Sequence, residues 1–160
     1  MTPAPPITCV SEVVLNVDDL NKVREFYTQV LGFPVHREVS LETSEADPDG
    51  EPTISFLTIS DTKTPLAKGG HPAFLVLIDY KRHVFSKDRV KHIDGTNSTL
   101  NHLAFEVAPE DFDQHRERLE SLGISTFLTQ FPALQAQAMF FGDPEGNTIE
   151  LIAHVPDTPT

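Results

Sequence analysis

Three ionisable side chains on predicted β-strands, Glu12, His102 and Glu150, are of types that can bind a metal ion. Carboxylate oxygens and imidazole nitrogens are common protein ligands of divalent cations. Each residue lies on a strand with one wholly apolar face and one mixed face, and each belongs to the mixed face. A sheet with one solvated face shows the same alternation without any function. The pattern of residues alone therefore leaves a metal site and a solvated surface open.

The apolar faces of these three strands are expected to pack against helices, which leaves the mixed faces to line a cleft. Asn16 and Glu106 share the mixed faces with the three ionisable residues, which makes them candidates for orienting a substrate or simply polar surface residues. The apolar faces comprise Val13, Leu15 and Val17 in the first strand, Leu103, Phe105 and Val107 in the fifth, and Ile149, Leu151 and Ala153 in the last.

The order strand, helix, strand, strand, strand occurs twice along the chain, which predicts an α+β fold of two βαβββ modules. Each predicted helix ends at a Leu-Gly pair, Leu31-Gly32 or Leu122-Gly123, because glycine favours the left-handed conformation that follows many helices. Strands are expected at residues 33–39, 53–59 and 73–79 in the first half and at 124–129, 137–141 and 148–154 in the second. The helices should bury Leu20, Val23, Phe26, Tyr27, Val30 and Leu31 in the first, and Phe112, Leu119 and Leu122 in the second.

The 160 residues fit a single domain, with module 1 at about residues 8–80, a connector at 81–98 and module 2 at about 99–155. The connector is rich in cations, which indicates either a solvated segment or a local site for an anionic substrate or an acidic partner. Its cationic residues are Lys81, Arg82, Lys87, Arg89 and Lys91.

The composition is strongly acidic, with a formal net charge of −12 from 12 basic and 24 acidic side chains. Such a field repels a nucleic-acid backbone, so we expect no nucleic-acid partner. No apolar run approaches the roughly 18 residues of a membrane span, and the N-terminus lacks a secretory pattern. The lone cysteine, Cys9, excludes an internal disulfide framework. We therefore expect a cytoplasmic protein with no membrane partner.

Three segments resemble the vicinal oxygen chelate superfamily, which includes glyoxalase I, fosfomycin-resistance enzymes, extradiol dioxygenases and bleomycin-resistance proteins. The opening segment, residues 12–33, is similar to the start of its first module, and residues 101–107 are similar to the start of its second. Residues 141–152, with the turn Asp143-Pro144-Glu145-Gly146-Asn147, are similar to its closing hairpin. The resemblance implies two modules whose sheets form an open-barrel cleft, and it implies a homodimer.

The resemblance also implies which positions bind a metal. The first strand of module 1 contributes Glu12, and module 2 contributes His102 and Glu150 from its first and last strands. Val76 stands at the fourth position, where glyoxalases of the family have a glutamate, so a glyoxalase I mechanism is in doubt. Asp79 could reach the cleft only if the strand register were shifted by one residue. One histidine with two carboxylates suits Mn, Fe, Zn or Ni as the divalent cation.

The favoured interpretation is a metal-dependent enzyme acting on a small molecule with vicinal oxygens, by lyase, isomerase or dioxygenase-like chemistry. Fosfomycin-type transfer is disfavoured because Glu12 replaces the histidine of that family. The alternative is a metal-free binding protein of the bleomycin-resistance type, whose cationic ligand would suit the acidic charge. A third possibility is a regulatory domain that uses residues 81–98 as its contact element.

Overall fold

A computed structural model describes residues 10–63, 72–88 and 100–154 of the chain. The chain divides into two compact units, residues Met1–Ile93 and Asp94–Thr160. In the described ranges each unit has one α-helix and one open four-stranded sheet in the order strand, helix, strand, strand, strand. This confirms the α+β fold of two βαβββ modules, and neither sheet closes into a barrel. None of the helices in these ranges is long and apolar enough to cross a membrane.

Unit 1 forms a sheet with the strand order β1-β4-β3-β2. Only the pairing of the first and fourth strands is parallel, and the other pairings are antiparallel. The elements are β1 (Glu12–Val17), α1 (Leu20–Gln29), β2 (Val35–Val39), β3 (Ile54–Lys63) and β4 (Pro72–Asp79).

Helix α1 begins where the side chain of Asp19 accepts a hydrogen bond from the backbone N–H of Lys22 at 3.0 Å. This N-cap satisfies one of the donors that the first turn leaves without a helical partner. Just beyond the helix, Gly32 adopts φ +73°, the left-handed conformation predicted for it. Strand β2 then starts at Val35, later than predicted, because Pro34 has no N–H to donate to a ladder.

Unit 2 repeats this topology with the strand order β5-β8-β7-β6. Its first and last strands are parallel, and the remaining pairs are antiparallel. The elements are β5 (Leu103–Glu106), α2 (Phe112–Ser121), β6 (Phe127–Phe131), β7 (Ala136–Gly142) and β8 (Thr148–His154), with short 3-10 turns before α2 and β7.

The burial predicted for the two helices is partly wrong at their C-terminal ends. Helix α2 buries Phe112 and Leu119, but Leu122 is 51% exposed because it lies after the last turn. The backbone N–H groups of Gly123 and Ile124 return to carbonyls of the helix, which turns the chain away and delays β6 until Phe127. The first helix buries Leu20, Val23 and Tyr27, whereas Phe26, Val30 and Leu31 are only half-buried.

The sheet of unit 1 has one face that packs on helix α1 and one that does not, and we call the second the helix-free face. In unit 2 the same name denotes the face that carries Glu150, opposite the buried Ile149 and Leu151. In unit 1, helix α1 contacts β3 and β4, where Leu57, Leu75 and Leu77 are fully buried. The helix-free face of β4 instead carries Phe74, Val76 and Ile78, which form a separate apolar cluster with Ile54 and Phe56 of β3. The alternation that the sequence predicted for β1 agrees, since Leu15 and Val17 are buried and Glu12, Val14 and Asn16 are exposed.

Candidate functional site

Two of the predicted ligands, His102 and Glu150, lie side by side on the helix-free face of unit 2. Strands β5 and β8 run parallel with Ala104 opposite Glu150, so His102, two residues earlier, belongs to the same face. Nε2 of His102 lies 2.9 Å from Oε2 of Glu150. The Glu150 side chain is only 6% exposed, so it is not the solvated surface charge that the alternative interpretation of the strand pattern requires.

Each ring nitrogen of His102 has an oxygen atom as its neighbour. Nδ1 lies 2.7 Å from Oδ1 of Asn101, and an amide oxygen only accepts hydrogen bonds, so Nδ1 donates. In the neutral ring Nε2 then presents a lone pair to the carboxylate of Glu150. Two acceptors at 2.9 Å require a proton or a cation between them. The edge-on ring of Phe140, with its centroid 5.7 Å from that of His102, packs against the imidazole.

The donor set of this pair fits a divalent cation. Two donors about 2.1 Å from one metal ion and at right angles around it lie about 3.0 Å apart, close to the observed 2.9 Å. A metal-binding histidine commonly donates its other ring N–H to a carbonyl oxygen, as His102 does to Asn101. Within the ranges that the structure describes, however, no three His, Cys, Asp or Glu side chains form a cluster able to hold a metal ion.

The third predicted ligand, Glu12, belongs to unit 1 and is exposed on the helix-free face of β1. Its cross-strand neighbour is Phe74 of β4. The participation of Glu12 in one site with the pair in unit 2 stays a prediction.

Val76 lies on the same helix-free face as Glu12, because Val14 and Val76 are cross-strand partners in parallel register. Val76 is buried in the apolar cluster with Phe74 and Ile78 and offers no ligand atom. The alternative position, Asp79, lies on the opposite face of β4, where its Oδ1 accepts hydrogen bonds from the backbone N–H groups of Lys81 and Arg82. Val76 therefore offers no carboxylate at the fourth position that the resemblance implies.

The two candidate substrate-binding residues each have a polar partner in their own unit. Asn16, exposed on β1, accepts a hydrogen bond at 2.8 Å from the hydroxyl of Ser86. Glu106, exposed on β5, lies 3.5 Å from Nδ1 of His154 on β8. Unit 2 thus carries two histidine–glutamate pairs on its helix-free face, and only the pair of His102 and Glu150 includes a buried carboxylate.

The basic stretch pairs with acidic groups of its own unit in its described part, residues 81–88. Nζ of Lys81 lies 2.6 Å from Asp18, and this hydrogen bond raises the pKa of Lys81. The guanidinium of Arg82 binds Glu42 through two nitrogens and also contacts Glu51, and the bond to Glu42 raises the pKa of Arg82. Because these cations already have acidic partners, the contacts favour a structural role for residues 81–88 over a site for an anionic substrate. Arg89 and Lys91 lie outside the described residues.

One histidine in the segment after β4, His83, is fully buried in unit 1. Its Nδ1 accepts a hydrogen bond from the backbone N–H of Phe85 at 3.2 Å, and within the described residues its Nε2 has no hydrogen-bond partner. Burial lowers the pKa of His83, and the charge of Asp79 opposes this effect in part. No local pattern could have revealed this burial, because the segment packs on residues distant in sequence.

Two other described histidines, His36 and His115, do not take part in the pair of His102 and Glu150. The ring of His36 on β2 packs on Phe74 at a centroid distance of 4.8 Å, and His115 lies on α2. Cys9, His71 and His92 lie outside the described residues.

Comparison with known proteins agrees with this fold. A family model described as the Glyoxalase/Bleomycin resistance protein/Dioxygenase superfamily matches residues 10–151. Glutathione transferase FosA from Serratia marcescens is 24% identical over 142 residues, which cover 89% of this chain and 78% of that protein.

Two solved structures are similar in fold. One is a mutant of the fosfomycin resistance protein FosX from Listeria monocytogenes, in complex with Mn(II) and 1S,2S-dihydroxypropylphosphonic acid (TM-score 0.64, 18% identity, 94% of this chain and 95% of that one). The other is lactoylglutathione lyase from Agrobacterium tumefaciens (TM-score 0.58, 17% identity, 93% and 96%). Because the family model spans nearly the whole chain, the protein belongs to the Glyoxalase/Bleomycin resistance protein/Dioxygenase superfamily.

Proposed function

We propose that this protein is a divalent-metal-dependent enzyme that acts on a small molecule bearing two neighbouring oxygens. The observation that carries the proposal is the pair of His102 and Glu150, in which a buried carboxylate lies 2.9 Å from an imidazole nitrogen. Burying a carboxylate is costly without a compensating charge, and a bound cation would compensate it directly. Glu12 is proposed as the third protein ligand, and Mn, Fe, Zn and Ni are the candidate metals.

The residues around the pair have separate tasks in this proposal. Asn101 orients the His102 ring by accepting a hydrogen bond from Nδ1, so that Nε2 faces Glu150, and Phe140 packs against the imidazole. When bound, the metal supplies Lewis-acid stabilisation of an oxyanion that develops on the substrate. Asn16 and Glu106 are proposed to orient the substrate on the helix-free faces of their units.

Metal content provides the first test. Protein purified without chelator should contain about one Mn, Fe, Zn or Ni ion per chain, and Glu12→Gln, His102→Ala and Glu150→Gln should each lose it. The matched controls His115→Ala and Glu110→Gln replace the same residue types elsewhere in unit 2 and should keep the metal. A parent protein that neither contains nor takes up any of the four metals would refute the metalloenzyme proposal. The metal-free binding protein for a cationic ligand would then become the leading candidate.

Although Glu12 disfavours fosfomycin-type transfer, epoxide opening is the reaction type to test first, because FosX is named a fosfomycin resistance protein and FosA a glutathione transferase. Mn(II)-loaded protein is incubated with fosfomycin and either water or glutathione, and the product is followed by phosphorus NMR. Turnover lost in Glu150→Gln and kept in Glu110→Gln would assign epoxide opening to this chain. Metal binding without turnover would direct the search to lyase, isomerase or dioxygenase-like reactions. A cytoplasmic homodimer is likewise proposed, and sedimentation of the purified protein tests the dimer.

A further inference from the structure

The hydrogen bond between Ser86 and Asn16 joins residues 70 positions apart in the chain. The Ser86 hydroxyl is on a buried residue, whereas Asn16 is exposed on the helix-free face of β1. Asparagine is disfavoured in strands, and fixing an exposed side chain costs conformational entropy with little gain for the fold. The orientation of the exposed Asn16 side chain by the buried Ser86 hydroxyl is therefore better explained by a role of Asn16 in binding a ligand. Fixing a binding group in advance improves affinity.

The segment that carries Ser86 is held at several points, so its hydroxyl is rigidly placed. The backbone N–H of Val84 donates to the carbonyl of Leu41 at 2.9 Å, and the ammonium of Lys87 donates to the carbonyl of Glu42 at 2.7 Å. Within the segment, the N–H of Ser86 donates to the carbonyl of His83 at 2.9 Å. Residues 81–88 are thus anchored to unit 1 on both sides of the serine.

The bond leaves the Asn16 side chain with one orientation of its amide. The Ser86 hydroxyl donates to Oδ1, which directs the two N–H donors of Nδ2 elsewhere. Among the residues that the structure describes, Nδ2 has no hydrogen-bond partner in the protein. Asn16 therefore presents two oriented donors on the same face of β1 as Glu12.

We propose that Ser86 is a positioning residue that fixes Asn16 as a hydrogen-bond donor to the far end of an extended, oxygen-rich substrate. The inference rests on the proposed metalloenzyme, in which Glu12 helps to hold the metal. Glu12 and Asn16 are four residues apart, which is about 13 Å along a strand and more than one pair of vicinal oxygens spans. The far oxygen is uncharged, such as a sugar hydroxyl, because the net charge of −12 disfavours a second anionic group.

Two acids that share one chelating end test the proposal. D-Glycerate and D-gluconate are both 2-hydroxy acids with one negative charge, and only gluconate extends into further hydroxyl groups. Calorimetric titration of the Mn(II)-loaded protein should give about fivefold tighter binding of gluconate, the ratio expected of one neutral hydrogen bond. Ser86→Ala and Asn16→Ala should reduce this ratio to about one, and Ser86→Thr should restore it. The matched control Ser121→Ala removes a serine hydroxyl bonded within α2 and should keep the ratio.

A readout that needs no ligand separates positioning from folding. The side-chain amide signal of Asn16, identified by its loss in Asn16→Asp, should report a rigid group in the parent protein and in Ser86→Thr and a mobile one in Ser86→Ala. Equal mobility in all three overturns the positioning role. Binding of glycerate without a preference for gluconate, or a preference that survives Ser86→Ala, overturns this inference alone. Binding of neither acid by protein that has been offered Mn(II) overturns the proposed function together with it.

Discussion

The buried histidine of unit 1 should make the stability of the protein fall in mild acid. His83 is fully buried, its Nδ1 accepts the N–H of Phe85, and burial lowers its pKa below the ordinary 6.5. As pH decreases, the unfolded chain therefore binds a proton before the folded protein does. The contribution of His83 is complete above pH 6.5 and declines below it, at up to about 1.4 kcal/mol per pH unit until the folded pKa is reached.

Urea unfolding of the parent protein and of His83→Gln, at pH values from 8 to 5.5, measures this effect. Glutamine keeps an acceptor for the N–H of Phe85 but does not titrate, so groups common to both proteins cancel in the difference. The difference in unfolding free energy at pH 8 sets the baseline for the substitution itself. Between pH 6.5 and 5.5 the parent should lose stability relative to the variant, by at most about 1 kcal/mol.

A difference that stays constant from pH 8 to 5.5 would refute the reasoning, since it would mean that folding does not change the affinity of His83 for a proton. The titration of the His83 ring, followed by NMR in the folded protein, provides an independent check. The ring should remain neutral at a pH where a histidine of ordinary pKa is already charged. Protonation at the ordinary pKa would show that water reaches the imidazole.

Three further predictions concern the core of unit 1, the turn before β8 and the metal. Leu77→Ala should lower the unfolding free energy by about 2–5 kcal/mol because Leu77 is fully buried, whereas Leu122→Ala at an exposed position should cost less than about 1 kcal/mol; urea titration compares them directly. Asp143→Ala should cost about 1–3 kcal/mol, because its carboxylate accepts hydrogen bonds from the backbone of Glu145 and Asn147 in the turn before β8; an unchanged melting curve would contradict this role. Zn(II) at about 100 times its dissociation constant should raise the unfolding free energy of the parent by about 2.7 kcal/mol, and equal stabilisation of Glu150→Gln would place the metal elsewhere.

Local pattern was enough to predict the order of elements and the face of each residue on the regular strands. Alternation placed Leu15 and Val17 on the buried side of β1 and Glu12 and Asn16 on the exposed side, and the structure confirms it. The family resemblance, rather than alternation, assigned Val76 to the fourth position, and the strand register puts Val76 on the face of Glu12. Local chemistry also predicted the glycine turns after both helices.

The local sequence pattern did not predict contacts between residues distant in sequence, nor the residue at which a helix ends. Leu122 is exposed because α2 ends before it, and the periodicity of apolar residues does not locate the last residue of a helix. The cations of residues 81–88 left a solvated segment and an anion site open in the sequence, whereas in the structure Lys81 and Arg82 have acidic partners up to 63 positions away. The separation of Lys81 from Asp18 along the chain shows why: a charge run does not specify its partners.

The sequence by itself determined the doubled βαβββ architecture and the residue types on each sheet face, because these depend on short-range periodicity and turn chemistry. Only the tertiary structure decided which polar groups meet. It brought Nε2 of His102 to 2.9 Å from the buried carboxylate of Glu150 and the hydroxyl of Ser86 to 2.8 Å from Asn16. Such pairs arise from strand pairing and loop packing across 48 and 70 residues, distances over which no local pattern in the sequence carries information.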